Sequence, residues 1–427
     1  MKKNLILKTL ALTLAISLFN PCSLKSYATE NQTQNLPTIQ AEAALTMDLE
    51  TGEVIYCKDG DSKRYPASTT KLLTGLLLAE NIGKNDQITF TQSAKDQPEY
   101  SLNINYMKNK MQVGDKMLAD DVMKGLLLFS GNDTAYMIAD NVSGNATAFA
   151  DLMNKRAKEL GANNSNFITA NGLHDANHYT TAYDLSLITK AAFQNPWERE
   201  TMGLKESPIN IGTSKIILEN RNLNLGKNGN IAGKTGSTNA AGGCLTTVYD
   251  RDGRKLIGVV LKSRQIDNAD MTKFNDMNAI IDYSYNATKK VYKKANEEVG
   301  TTNLEYKAFG FFGPTKTITV PITLTQDVMY YKNDINDKDS AITYSSSNGS
   351  AWKLAFNKDT KLTYTIRNHS EEVPGTVGIS LGKILKDNIL LYGAVIIIAI
   401  IIITLIIFIK NIAKNKHKRR RRYKRKY

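Results

Sequence analysis

Hydrophobic positions in the first two thirds of the chain form strand-like runs at both ends and a helical pattern between them. Residues 41–58 contain two strand-like runs, one on each side of Glu50-Thr51-Gly52, which predicts two strands joined by a hairpin. Between Pro66 and TTAYDLSLITKAAF, apolar residues recur every three to four positions, as in helices. Strand-like runs return in NIAGKTGS, GCLTTVYDRDG and RKLIGVVLKS, and a helix over residues 276–289 follows. This order predicts an α/β domain with one antiparallel sheet and a helical insertion.

The pattern changes after about residue 303. TKTITVPITLTQDVMYY, WKLAF and KLTYTIRN read as short strands separated by clusters of Gly, Asn, Asp and Ser. We therefore expect a small all-β domain over residues 303–381, behind an α/β domain over residues 29–295. Two domains are expected because about 360 outward-facing residues exceed one ordinary hydrophobic core.

Both ends of the chain are typical of an exported protein that stays in a membrane. A basic start, a short apolar stretch and Ser26-Tyr27-Ala28 predict a secretory signal over residues 1–28. Residues 389–409 are uncharged and almost wholly aliphatic, and at about 1.5 Å per residue they extend about 30 Å, enough to span a bilayer. Residues 410–427 carry eleven Lys or Arg and no acid, which predicts a cytoplasmic tail and a body that faces outward.

The formal net charge of +14 belongs to these two ends. Removing the eleven positive charges of the tail and the four of the signal leaves −1 on residues 29–409. The body therefore lacks the basic surface of a nucleic-acid-binding protein, and the tail suits anionic lipid headgroups.

Cys57 and Cys244 remain after the signal. A single disulfide is compatible with export, but each cysteine lies in an apolar run, which favours two separate buried thiols.

Three short motifs stand in order along the predicted α/β domain. Ser68 and Lys71 occur in PASTTKLLTG, Ser130 and Asn132 in LLLFSGNDTAYMIAD, and Lys234-Thr235-Gly236 in IAGKTGST. Serine is a poor nucleophile without a base, and a lysine can be that base when burial and a neighbouring cation lower its pKa. A spacing of three on a helix, opened by a proline, places the first two side chains on one face. The trio predicts a serine acyl-transferase that uses no catalytic histidine.

The second motif lies between two helical runs, so we expect a tight turn with exposed side chains. Ser130 can pass a proton between Lys71 and a leaving amine, and Asn132 offers a donor and an acceptor to a peptide-like substrate.

The third motif is expected on a strand. Lys234 and Thr235 favour a substrate carboxylate, and Gly236 lets the substrate backbone approach closely. The backbone N–H groups of Ser68 and Ser237 are the expected oxyanion hole.

Beyond these motifs, residues 41–286 resemble the low-molecular-mass penicillin-binding proteins of the D-alanyl-D-alanine carboxypeptidase family. The stretches that carry the resemblance are PASTTKLLTG, LLLFSGNDTAYMIAD, NGLHDANHYTTAYDLSLI, LENRNLNL and GKTGSTNAAGGCL. The resemblance implies a β-lactamase/transpeptidase-like fold without a cofactor. It also implies an acyl-enzyme on Ser68 that removes the terminal D-alanine of peptidoglycan stem pentapeptides and that β-lactams inhibit.

The family motifs also assign roles. Ser68 is the implied nucleophile, Lys71 the base and Ser130 the proton relay. A basic residue shortly after the last core strand contacts the substrate carboxylate in relatives, and Lys273 is the candidate here. Relatives often end in an amphipathic helix on the membrane surface, whereas residues 389–409 are expected to span the cytoplasmic membrane.

Several alternatives stay open. His174, Asp175 and His178 suggest a metal site, but the other outward histidine, His369, is distant in sequence and no nearby Cys or Glu completes the set. A structural loop without metal is the favoured interpretation. No glutamate in an ExxLN-like loop supports β-lactamase activity. A D,D-endopeptidase or transpeptidase, and a catalytically silent wall-binding protein, share the same motifs. The sequence leaves the stem-peptide preference, the oligomeric state and the role of the β domain undetermined.

Overall fold

A computed structural model describes residues 35–106, 111–267, 269–344 and 350–423. The predicted signal, residues 1–28, lies outside the described residues. The helices are α1 Lys71–Asn81, α2 Gln92–Lys95, α3 Ala119–Lys124, α4 Asn132–Ser143, α5 Ala146–Glu159, α6 Ala182–Gln194, α7 Pro196–Met202, α8 Thr272–Asn286, α9 Asp334–Asp339, α10 Ala351–Phe356, α11 Leu381–Asp387 and α12 Ile389–Tyr423. The strands are β1 Ala43–Asp48, β2 Val54–Lys58, β3 Gln87–Thr89, β4 Lys116–Leu118, β5 Glu206–Ile211, β6 Ser214–Glu219, β7 Asn230–Thr238, β8 Gly242–Arg251, β9 Arg254–Ser263, β10 Lys290–Lys293, β11 Glu298–Lys307, β12 Thr315–Leu324, β13 Val328–Tyr330, β14 Ser340–Thr343, β15 Asp359–Ile366 and β16 His369–Val377.

The central sheet is antiparallel, in the order β2-β1-β9-β8-β7. Both of its faces are covered. In β1, Leu45 packs into the large core that includes α1 and α6, while Ala44 packs toward α8 on the other face. Because side chains alternate between faces, this double coverage explains why the central strands are buried at nearly every position. The helices between β2 and β7 form the predicted insertion, so this α/β arrangement is confirmed.

A second antiparallel sheet has the order β11-β12-β16-β15-β14. Alternate residues of β12, from Ile318 to Leu324, are buried on one face, whereas the intervening residues are exposed or half-buried. The expectation of a strand at WKLAF is wrong, because this segment forms helix α10. Ser350 caps the helix, and Ala351 and Leu354, three positions apart, face the sheet core. A short apolar run fits either period, so its sequence alone could not separate the two.

Two other boundaries differ from expectation. The helix after the central sheet runs over Thr272–Asn286, four residues earlier at its start than predicted. The short ribbons β3–β4 and β5–β6 were not predicted.

Cys57 and Cys244 are both free, and Cys244 is buried whereas Cys57 is half-buried.

Helix α12 begins with the aliphatic segment and continues into the basic tail. Within the described part of the chain, it is the one helix long and apolar enough to cross a membrane, and none of its apolar window is buried by the rest of the protein. A helix that is apolar all round and unburied matches a membrane span better than a core helix.

Candidate active site

Ser68 lies in a separate 3-10 turn, Ala67–Thr70, and not in the first turn of α1 as expected. Ala67, just before the serine, has a left-handed backbone with φ 48°. Such a conformation is costly for a residue with a side chain and is common where a fold fixes reacting groups. The turn leaves Ser68 half-buried at the start of α1 and places Lys71 fully inside.

The Lys71 amine contacts three oxygen atoms. Its Nζ lies 3.0 Å from Ser68 Oγ, 2.7 Å from Asn132 Oδ1 and 2.7 Å from the backbone oxygen of Asn171. A neutral amine donates two hydrogens and keeps one lone pair. Because Asn132 Oδ1 and the Asn171 oxygen can only accept, the two hydrogens go to them. The lone pair is then left to accept the proton of the Ser68 hydroxyl.

The surroundings of Lys71 favour this neutral form. Burial lowers its pKa well below the ordinary 10.5, the positive charge of Lys234 lowers it further, and the carboxylate of Asp133 opposes the shift. Burial also raises the pKa of Asp133 to about 6, although its carboxylate accepts backbone hydrogen bonds from Ile104 and Asn105. The carboxylate therefore offsets only part of the effect of burial on Lys71.

Ser130 lies on a tight turn, as expected, but its side chain is buried and not exposed. A π-helical turn, Gly125–Phe129, ends at Ser130, whose backbone is left-handed with φ 75° and ψ 36°. π-turns and left-handed residues often re-aim side chains at functional sites. Lys234 Nζ lies 3.0 Å from Ser130 Oγ, so the site holds a second amine–hydroxyl pair.

Lys234 lies on β7, the edge strand of the central sheet, and is buried. Burial lowers its pKa to about 7, and the positive charges of Arg221 and Lys273 contribute. Lys273, at the start of α8, is buried with its Nζ 3.2 Å from Gln265 Oε1. Its side chain packs beside Gly243, the residue paired with Ser237. Lys273 therefore lies near the carboxyl end of the KTG strand.

Arg221 was not identified from the sequence. It is exposed, follows the ribbon β5–β6, and has no ion-pair partner among the described residues. Its charge acts on both Lys234 and Lys273. Arg221 lies in LENRNLNL, one of the stretches that carry the family resemblance, and this position could have identified it as a site residue. Three cations with few nearby acids form a site suited to an anionic group.

Gly236 packs against the turn that carries Ser68, whereas the sequence predicted a close approach to the substrate backbone. A side chain there would place its first carbon 2.9 Å from the Pro66 oxygen and 3.0 Å from the nitrogens of Ser68 and Thr69. The glycine therefore lets the KTG strand pack directly against the turn that carries Ser68. Thr235 is buried on the same strand, and Ser237 is exposed at its end.

The loop before α6 packs against the turn that carries Ser68 and binds Lys71. Gly172, with φ 80°, lies directly against Ala67, and its neighbour Asn171 supplies the oxygen that binds Lys71. His178 is buried, which lowers its pKa to about 4. Its Nδ1 accepts from two backbone N–H groups, and its Nε2 lies 2.9 Å from Thr70 Oγ1. Both ring nitrogens are thus engaged within the loop, in keeping with a structural role.

The structure brings the predicted residues of the first two motifs and Lys234 together in two hydrogen-bonded groups. Lys71 contacts Ser68 and Asn132, and Lys234 contacts Ser130. The two groups are close enough for the charge of Lys234 to lower the pKa of Lys71. Thr235, Gly236 and Ser237 follow Lys234 along β7, and Lys273 stands beside the strand end. No cluster of three or more potential metal ligands is found among residues 35–106, 111–267, 269–344 and 350–423. The two groups contain what acyl transfer needs: a hydroxyl, a neutral amine, a second hydroxyl and a second amine.

Comparison with known proteins agrees with this geometry. The chain is 28% identical over 307 residues to D-alanyl-D-alanine carboxypeptidase DacF of Bacillus subtilis, covering 70% of this chain and 77% of that protein. It is 32% identical over 265 residues to DacC of Escherichia coli, covering 60% of this chain and 63% of that protein, slightly under two thirds. The crystal structure of the Streptomyces K15 DD-transpeptidase superposes with a TM-score of 0.54 at 29% identity, covering 59% of this chain and 99% of that one. A family model described as D-alanyl-D-alanine carboxypeptidase matches residues 29–265, more than half of the chain. The chain therefore belongs to the D-alanyl-D-alanine carboxypeptidase family.

Proposed function

We propose that this protein is a serine D-Ala-D-Ala carboxypeptidase that removes the terminal D-alanine of peptidoglycan stem pentapeptides. The observation that carries the proposal is the buried Lys71 amine, whose Nζ lies 2.7 Å from two carbonyl oxygens and 3.0 Å from Ser68 Oγ in surroundings that favour its neutral form. A lysine in this state is ready to accept a proton, which a surface or ion-paired lysine is not.

In the first step, Lys71 takes the hydroxyl proton and Ser68 Oγ attacks the carbonyl carbon between the two D-alanines. The N–H groups of Ser68 and Ser237 stabilise the oxyanion that forms. Gly236 keeps the strand close enough to the nucleophile turn for both N–H groups to serve one oxygen. Asn132 holds Lys71 and offers its amide to the substrate backbone.

In the second step, the departing D-alanine needs a proton on its nitrogen. As the C–N bond breaks, Ser130 Oγ gives its proton to that nitrogen and takes in return the proton that Lys71 removed from Ser68, which leaves Lys71 neutral again. Lys234, with its Nζ 3.0 Å from Ser130 Oγ, holds this hydroxyl in place. Water then attacks the acyl-enzyme, with Lys71 again as the base, and frees Ser68.

The substrate carboxylate is recognised by Thr235 and by the cations Lys234, Lys273 and Arg221. A bound carboxylate favours the charged form of Lys234, whose pKa in the free protein is lowered to about 7. β-Lactams carry a reactive amide and a carboxylate in a similar arrangement, so we expect them to acylate Ser68.

Replacing Arg221 by glutamine is expected to lower kcat/KM for a free-carboxylate peptide by about 10-fold, mainly through KM, since a charge-assisted hydrogen bond contributes about 1.5–3 kcal/mol and this one is exposed. The same substitution should leave turnover of the C-terminally amidated peptide unchanged. Steady-state kinetics with both peptides provide the test. An equal loss on the amide would show that Arg221 acts on the fold and not on the carboxylate.

A β-lactamase function is less well supported. Among the described residues, the hydrogen-bond partners of Lys71 are two carbonyl oxygens and one hydroxyl, without a carboxylate that could activate water for fast deacylation. Slow release of bound penicillin is therefore expected.

The apolar segment of α12 supports membrane attachment. We propose a single pass over residues 389–409, with the basic tail in the cytoplasm and the catalytic domain, residues 29–295, outside. The second domain, residues 303–381, would then lie between the active site and the membrane.

Product analysis tests the proposed reaction. The full chain in detergent is incubated with a stem pentapeptide, with and without a D-amino acid as acceptor. Tetrapeptide plus free D-alanine in both mixtures is expected. A product that carries the acceptor would favour transpeptidation, the activity in the name of the Streptomyces K15 structure, and fast penicillin hydrolysis would favour a β-lactamase.

A further inference from the structure

The loop that joins β11 to β12 exposes a group of aromatic side chains. Phe311 is 89% exposed and Phe312 56%, and their rings lie 5.1 Å apart. Phe309 stacks on Phe312 at 5.1 Å. We call residues 308–314 the aromatic loop. Large apolar rings exposed together at the tip of a hairpin are unfavourable in water and usually mark a contact surface.

The aromatic loop is fastened to the beginning of α12. The Tyr392 hydroxyl donates to the Ala308 oxygen at 2.6 Å, and its ring lies 5.4 Å from that of Phe309. One residue before the helix, the Asn388 amide donates to the Tyr306 hydroxyl at 2.8 Å. The loop is therefore at the level of the first turn of α12.

That first turn is also where the proposed membrane span begins. The aliphatic segment starts at Ile389, so one face of the bilayer lies near residues 389–392. We propose that the aromatic loop is a second membrane contact, in which Phe311 and Phe312 insert into the outer leaflet beside α12. This proposal rests on the proposed span.

Three features favour lipid over a protein partner. The loop contacts the first turn of the proposed span, its exposed phenylalanines are side chains that interfacial segments bury in lipid, and lysines flank it. The exposed Lys307 closes one end of the loop. Lys316, at the other end, donates to the Asp387 oxygen at 3.0 Å, just before α12. Both amines can reach lipid phosphates while the rings enter the acyl region.

The membrane contact would fix the orientation of the second domain and the catalytic domain relative to the bilayer. Arg367 of the second domain reaches Asp61 near the catalytic sheet with Nη1 to Oδ1 at 2.9 Å, and its guanidinium lies 4.2 Å from the Tyr183 ring centre. The Asn336 amide also donates to the Val54 oxygen at 2.8 Å. A domain held at both ends is a rigid spacer, so the active site would stand at one height and one tilt above the membrane.

Tryptophan fluorescence in nanodiscs tests the proposal. The full chain is placed at one copy per disc, in phosphatidylglycerol and phosphatidylethanolamine with either plain or brominated acyl chains. Phe311→Trp is expected to add emission that bromine quenches at least about twofold. The native Trp197 and Trp352 give a background that is measured in the unsubstituted chain and subtracted.

Val291→Trp is the matched control. Val291 is an exposed apolar residue of β10, at 41%, and its neighbour Tyr292 packs with Ile322 and Leu324. This is the end of the second sheet where β11 begins. From there β11 extends nine residues, from Glu298 to Lys307, or about 30 Å at 3.3 Å per residue, before it reaches the aromatic loop. The added tryptophan should be unaffected by bromine.

Ile398→Trp, in the middle of the aliphatic segment, separates the two proposals. Quenching at this position with none at Phe311→Trp would overturn the aromatic-loop contact and keep the span. No quenching at either position would overturn both. Emission from Phe311→Trp that shifts to the blue only in discs holding two copies, without bromine quenching, would identify a second copy as the occupant and reject the lipid contact.

Discussion

Replacing Lys71 by methionine is expected to slow acylation of Ser68 by about 10³-fold, the range typical of a lost general base. The substitution keeps the apolar stem but removes the lone pair that faces Ser68 Oγ at 3.0 Å. Stopped-flow labelling with a fluorescent penicillin measures the rate. In the unsubstituted protein this rate should rise with pH through a pKa well below 10.5, because burial and Lys234 favour the neutral amine.

Two further variants serve as controls for the effect of Lys71→Met on acylation. Lys71→Arg should be as inactive as the methionine variant, since a guanidinium does not lose its proton in this pH range. Lys95→Met, an exposed lysine of α2, should acylate normally. If Lys71→Met retained its acylation rate and its melting temperature, another group would have to be the base.

Replacing Gly172 by alanine is expected to be the most damaging change outside the reacting groups. The new carbon would lie 2.0 Å from the Ala67 oxygen and 2.7 Å from Thr70 Oγ1. Left-handed backbone costs alanine about 1–2 kcal/mol, and overpacking adds about 1–3 kcal/mol, so a loss of about 3 kcal/mol in unfolding free energy is expected. Because the contact is with the turn that carries Ser68, penicillin acylation should slow as well.

Gly144→Ala provides the comparison. Gly144 has the same φ of 80°, but an added carbon there meets nothing within 4 Å. It should cost only the backbone strain, about 1–2 kcal/mol, with acylation unchanged. Thermal unfolding and acylation of both variants in detergent measure the difference. Equal effects would mean that the Gly172–Ala67 contact does not position Ser68.

Much of this molecule could be predicted from its sequence, because the information was local or periodic. The two strand-like runs in residues 41–58, joined at Glu50-Thr51-Gly52, and the Asp-Gly turn before β9 predicted the central strands. The spacing of Ser68 and Lys71, three residues apart, required them to be neighbours whatever the detailed turn. The aliphatic length of residues 389–409 predicted a helix that the rest of the protein does not bury.

The remaining features depend on contacts between distant segments. The backbone oxygen of Asn171 accepts from Lys71, 100 residues away in sequence. Every residue type has a backbone oxygen, so the residue type at position 171 could not predict this contact. Arg221 joins Lys234 and Lys273 only through the packing of separate strands and a helix. Gly236 could be recognised as a close-approach site, but its neighbour, the turn at Ser68, came from tertiary structure.

We propose that Ser68 forms the acyl-enzyme of a D-Ala-D-Ala carboxypeptidase. The most direct measurement combines D-alanine release from a stem pentapeptide with the intact mass of the full chain after penicillin, for the unsubstituted protein and for Ser68→Ala. We predict sustained D-alanine release and one penicillin adduct, both absent from the Ser68→Ala protein. Release or labelling that persists in the Ser68→Ala protein would contradict the claim, as would an unsubstituted protein that shows neither.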